Sequence, residues 1–275
     1  MTAVIPSPLD LVDLPFMRTA LAELGLLAVA GGLLGTWVVL RRLAFFSHAV
    51  GTATFPGLVI AEAAGFSAQG AGLAAALLYA GGVERAGRAP RALGDAATGV
   101  LLVAALGAGV VLASDVFHSG AAVDRLLFGT LLGLGDEDLA FSAAVALLAL
   151  AASASLGRAW TAIGFDQDAA ASLGLPAARA DLLLLGLVAV AVVAAVPAVG
   201  ALLVTSVLVV PAACARLVAG SVKAMLAWAI ALAGVQGAVG LYLAYWVDAP
   251  PGPAVATLGA GLYALLAIGS WALRR

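Results

Sequence analysis

The side chains able to do chemistry in this chain are few, and three of them fall at helical spacing within one apolar run. His48 and Thr52 in FFSHAVGTATFPG stand four residues apart, so on a helix they share a face. Glu62 follows His48 on the same run, about 40° round the helix and about 21 Å further along if the axis stays straight past Pro56. An imidazole, a hydroxyl and a carboxylate on one stripe can guide a cation or polar solute, and polar groups inside apolar helices usually face a bundle interior or an aqueous path. Each has a plainer reading as well. His48 would bond a backbone carbonyl, Thr52 would return its hydroxyl to the preceding turn, and Glu62 would reach the membrane surface. Glu23 stands inside the first apolar run, where a charge costs up to about 3 kcal/mol at mid-membrane. It is either protonated and hydrogen-bonded or part of an outer entrance.

Several reactions are excluded. The two histidines, His48 and His118, are too far apart for an H-E-x-x-H site, and no paired catalytic aspartates lie within apolar runs. The one lysine, Lys223, follows a valine, so no phosphate-binding loop of the G-x-x-x-x-G-K-[ST] kind exists. If ATP powers this chain, another chain binds it. The single cysteine, Cys214, forms no internal disulfide and reads as a small buried side chain. This is not the sequence of an enzyme, and no permanently bound cofactor is expected.

The elements that must position these residues are membrane helices. Of 275 residues, 64% are hydrophobic and 10% charged, against about a quarter charged in a soluble domain. Apolar runs near 17–40, 48–65, 68–83, 94–114, 138–157, 181–196, 200–217, 224–247 and 253–273 are separated by short charged clusters. The pattern predicts an all-α polytopic transmembrane bundle of about eight to nine spans, a single domain over residues 1–275. Residues 1–16 carry Asp10 and Asp13 with no Lys or Arg and read as a short exposed tail. With the N-terminus outside and the C-terminus inside, eleven of the thirteen basic residues face the cytoplasm and only Arg18 and Arg125 lie outside. The net charge of −2 offers no basic face for nucleic acid, so the expected surroundings are membrane lipid.

Two loops exceed what packing requires. Residues 114–139 lie outside in this topology, hold His118 as a solvated residue, and include RLLFGTLLGLG, apolar but too short to cross. Pro197 and Gly200 suit a short re-entry between two spans, and Thr205, Ser206 and Pro211 are placed to bend the seventh. The second loop, about 158–180, lies inside. Its DQDAAASLG reads as a short helix with Asp166 or Asp168 near the N-terminus and a stop at Gly174 and Pro176. A short helix outside the membrane invites docking by another protein.

Four segments together resemble the membrane permease subunits of zinc, manganese and iron ABC importers: GTWVVLRRLAFFSHAVGTATFPG (35–57), RLLFGTLLGLGDEDL (125–139), FDQDAAASLGLP (165–176) and VGALLVTSVLVVPAACARL (199–217). The resemblance implies an importer permease of the bacterial cytoplasmic membrane, carrying a divalent zinc, manganese or iron ion. Its implied partners are a cytoplasmic ABC ATPase, an extracytoplasmic metal-binding protein and a second permease, as homodimer or pseudo-dimer. It further implies that Phe165, Asp166, Ala170 and Gly174, with Asp168 beside them, form a coupling helix seated on the ATPase. In such permeases the second span reads G-D-A-L-S-H-A-x-x-P-G, and its Asp and His handle the metal. Here His48 stands where the family has Asp, and Thr52 where it has His. The spacing survives, while His plus Thr is a weaker, less charged pair, which leaves a small metal chelate open as cargo. The alternative function is a proton- or ion-coupled secondary transporter with Glu23 and Glu62 as carriers, which gives the DQDAAASLG helix no task.

Overall fold

The computed structural model describes residues 14–87, 91–116, 126–166 and 177–272, and among them every regular element is helical. In chain order these are α1 (Pro15–Leu40), α2 (Ala44–Ala53), α3 (Phe55–Ala64), α4 (Ala68–Gly87), α5 (Arg91–Val116), a 3₁₀ turn (Leu131–Gly133), α6 (Asp136–Phe165), α7 (Ala177–Val199), α8 (Val204–Leu208), α9 (Val210–Val218), α10 (Val222–Val247) and α11 (Pro251–Ala272). A helix satisfies its backbone groups internally, which is what a chain this apolar requires in hydrocarbon. The helix ends carry familiar stops. Pro15 opens α1, Ser221 accepts a bond from Ala224 N at the start of α10, and Gly65 closes α3 at φ +70°.

Six of these segments are long and apolar enough to cross a membrane: α1, α2 with α3, α6, Arg179–Val199, α10 and α11. The other predicted runs fall on α4, on α5 and on α8 with α9. The apolar stretch Val204–Val218 would rise only about 22 Å at 1.5 Å per residue, short of a hydrocarbon core of about 30 Å. Two helical runs are interrupted where proline removes a backbone donor. α2 gives way to α3 at Thr54, beside Pro56, and α8 gives way to α9 at Val209, beside Pro211.

α1 runs through the middle of the bundle and packs on α6, α7, α8, α9 and α10. Its glycines permit the close approaches. A Cβ at Gly35 would run into the Leu208 carbonyl, and one at Gly31 would lie 3.0 Å from the Val207 carbonyl. The Gly31/Gly35 pair is therefore the groove that admits α8.

The predicted re-entry is a backbone junction. Ala201 N and Leu202 N donate to the carbonyls of Leu126 and Leu127, and Thr130 N donates to the Pro197 carbonyl. Gly129 and Gly200, both at positive φ, face each other across it, and Gly252 of α11 closes it from the side. The loop and the turn after α7 thus satisfy each other's polar groups, as buried non-helical backbone must.

Candidate translocation site

His48 sits in the second turn of α2, half-buried, with its ring turned toward the broken helix. Thr205 Oγ1 of α8 lies 3.3 Å from His48 Nδ1. This contact orients one ring nitrogen, and no hydrogen bond to Nε2 is seen among the described residues. Thr52, one turn further, is 2% exposed and donates to the His48 carbonyl at 3.3 Å, the local bond expected of a helical threonine. Thr54 likewise donates to the Gly51 carbonyl at 2.6 Å. Of the predicted stripe, His48 meets Thr205 through Nδ1, Thr52 is spent on its own helix, and Glu62 lies past the α2–α3 break.

Glu62 is exposed and lines a cavity of about 240 Å³ with Leu58, Thr130 and Pro197. A neighbouring cavity of about 180 Å³ shares Leu58, Ala68, Val196 and Pro197 and adds Thr54, Gln69 and Asp138. Asp138 is fully engaged there. Its Oδ1 accepts from Gln69 Nε2 at 2.7 Å, and its Oδ2 accepts from Gly135 N at 3.0 Å, which caps α6. Glu23 is elsewhere, wholly buried between α1 and α6, where Ser142 Oγ lies 2.5 Å from its Oε1. Its Oε2 has no hydrogen-bond partner among the described residues. His48, Glu62 and Glu23 therefore occupy three separate settings, and no group of three His, Cys, Asp or Glu able to hold a metal exists among the described residues.

At the opposite end of the bundle, α6 ends at Phe165, which is 86% exposed, and Asp166 follows in extended backbone, also exposed. The predicted helix beyond it, with Asp168, Ala170 and Gly174, lies outside the described residues. The flanking helix ends are well anchored. Trp160 Nε1 of α6 donates to the Ala180 carbonyl of α7 at 2.9 Å, and its ring stands 5.5 Å from that of Trp37. Trp37 Nε1 donates to Ser153 Oγ at 3.0 Å. Arg41, just past α1, pairs with Asp181 of α7 at 2.6 Å in a partly buried setting. Both ends that flank residues 167–176 are thus tied to the end of α1.

Ser142, Gln69, Asp138 and Gln236 play parts that the sequence reading missed. Gln236 was the most visible of them, a lone amide in the middle of an otherwise apolar run.

The fold and these sites define a polytopic membrane protein whose interrupted helices meet inside the bundle. The profile of the ABC 3 transport family matches residues 13–270, and the chain belongs to that family. It is 27% identical to the manganese transport system membrane protein MntC of Halalkalibacterium halodurans over 93% of this chain and 88% of that protein. Against the chelated iron transport system membrane protein YfeC of Yersinia pestis it is 27% identical over 82% and 76%. The fold is shared with the PsaBC complex of Streptococcus pneumoniae bound to a Fab, with a TM-score of 0.84, 23% identity and 94% of each chain covered.

Proposed function

We propose that this chain is the permease subunit of an ATP-binding cassette importer in a bacterial cytoplasmic membrane. It forms the path for a divalent transition metal, manganese or iron by the company it keeps, with zinc a further candidate. The family match over residues 13–270 carries the reading. ATP is hydrolysed on a separate subunit, an extracytoplasmic binding protein delivers the ion, and two permeases, identical or paired, enclose the path.

In this reading the N-terminus lies outside and the C-terminus inside. The ion enters past Glu62 and the neighbouring cavities and meets His48 deeper in the bundle, where Nε2 is the ligand atom. Two copies of the chain bring two imidazoles and no carboxylate from this position, a weak set that releases its ion easily. Thr52 shapes the α2 wall behind His48, and we assign Glu23 to holding α1 against α6.

Force arrives at Phe165, Asp166, Asp168, Ala170 and Gly174 from the ATPase. Arg41–Asp181 and the Trp160–Trp37 ring contact pass it to the end of α1. α1 is seated on α8 through Gly31 and Gly35, and α8 carries Thr205 to His48. A rigid helix that touches both regions can shift the pathway residue without any contact between the two sites.

The test is uptake of Mn²⁺, Fe²⁺ and Zn²⁺ by cells carrying the intact system. Asp166→Ala is expected to lose ATPase co-purification and uptake together. His48→Ala is expected to retain the assembled complex but change the rate or metal preference of uptake. Unaltered uptake of all three metals in His48→Ala would remove that residue from the path.

A further inference from the structure

We infer that Gln236 is a positioning residue for the pathway histidine: it holds the short helix α8 where Thr205 meets His48. The inference rests on the import reading for its purpose, and its geometry stands independently.

α8 is five residues long and is bounded by a turn at 201–203 and by the break at Val209. Pro211 has no N–H to offer the Val207 carbonyl, so the helix cannot be held by its own ladder alone. Gln236, from the middle of α10, supplies an outside hold. Its Nε2 donates to the Ser206 carbonyl of α8 at 3.0 Å and to the Val255 carbonyl of α11 at 3.1 Å. Both partners are carbonyl oxygens, which only accept, and this fixes the amide with its NH₂ toward them. Ser206 is the next residue after Thr205, whose Oγ1 meets the His48 ring.

Two further observations say that this amide is placed rather than incidental. Gln236 is 1% exposed and its Oε1 is buried without a hydrogen-bond partner among the described residues, so the side chain is retained for its donors at the cost of its acceptor. α11 also leaves a slot for it, since any Cβ at Gly259 would collide with its amide. Helix–helix adhesion alone does not require a group that bonds beside the residue facing His48. The chain of contacts runs Gln236, Ser206 carbonyl, Thr205 hydroxyl, His48 Nδ1, leaving Nε2 toward cargo.

The test reads the imidazole directly. The chain has two histidines, so ¹⁵N-histidine labelling of the full-length protein gives signals from His48 and His118 alone, distinguished by His118→Asn. Gln236→Leu is expected to move the His48 Nδ1 resonance in the same direction as Thr205→Val, while Thr205→Ser restores it and the His118 signal stays in place. A His48 resonance unmoved by Gln236→Leu overturns the inference. Should Gln236→Leu fail to fold, Gly259→Ala displaces the amide without removing it, with the same expectation and the same refutation.

Mn²⁺ uptake by proteoliposomes holding the permease, its ATPase and the binding protein provides a second readout. Gln236→Leu and Thr205→Val should each raise KM about tenfold, as loss of an outer hydrogen bond to a ligating histidine does. The double variant should be no worse than either single one, with Vmax per assembled complex held. A fall in Vmax with KM unchanged, or KM effects that multiply, contradicts positioning. Absence of Mn²⁺ uptake by the wild type would count against the import reading, and the resonance experiment would still decide this one.

Discussion

Glu23 and Ser142 form a contact that hydropathy alone disfavours, a carboxyl and a hydroxyl buried together between α1 and α6. Removing the hydroxyl leaves the carboxyl with no described partner at either oxygen. Ser142→Ala is therefore expected to cost about 1–3 kcal/mol and lower the melting temperature of the detergent-purified protein. Glu23→Gln keeps an oxygen to accept the Ser142 bond and should melt close to the wild type. Equal melting of Ser142→Ala and wild type would show that the pair holds nothing. Local chemistry of this kind was partly legible in the sequence. The return of the Thr52 hydroxyl to His48's own carbonyl follows from a spacing of four and needs no tertiary knowledge. The partner of His48 does not follow from such rules, because Thr205 is distant in the chain and reaches the ring only through the packing of α8 on α1.

At the scale of elements, the junction between the 126–133 loop and the turn after α7 has the least room for change. Gly200 stands at φ +81°, and a Cβ there would run into the Leu127 carbonyl. Gly200→Ala meets both the left-handed backbone penalty, about 1–2 kcal/mol, and that collision. The expected result is a sharp loss of monodisperse protein on size-exclusion after detergent extraction, and a wild-type elution profile would refute it. Hydropathy made six of the expected spans readable, and Pro211 marked the bend after α8, while the break at Thr54 beside Pro56 was not expected. The mutual bonding of Ala201 with Leu126 and of Leu202 with Leu127 was not readable. It depends on the register of two irregular segments far apart in sequence, and periodicity carries no information about that register. The lone amide of Gln236 was visible in its apolar run, but only the arrangement of α8, α10 and α11 assigns its donors.

For the whole molecule, large apolar side chains such as Val100, Val103, Leu147, Leu265 and Ile268 are left outward, a surface suited to lipid or a second copy of the chain. The distribution of arginines sets the orientation we propose, with residues 165–176 inside the cell. In a Cys214→Ser background, a thiol introduced by Asp168→Cys should escape a membrane-impermeant maleimide in intact cells and react after permeabilisation. Prompt labelling from outside would reverse the topology. The acidic start and Gly-Pro stop of that segment have a local meaning in the sequence, and its docking role is part of the proposal. The route we propose from it to His48 was not legible, because it uses Arg41–Asp181 and the α1 glycines, contacts that exist only once the bundle is assembled. The measurement that bears most directly on the account is Mn²⁺ uptake by proteoliposomes containing this chain, its ATPase and the binding protein. We expect uptake that requires ATP on the face carrying residues 165–176 and that stops with Asp166→Ala. Uptake driven by a proton gradient without ATP, undiminished by that substitution, would contradict it.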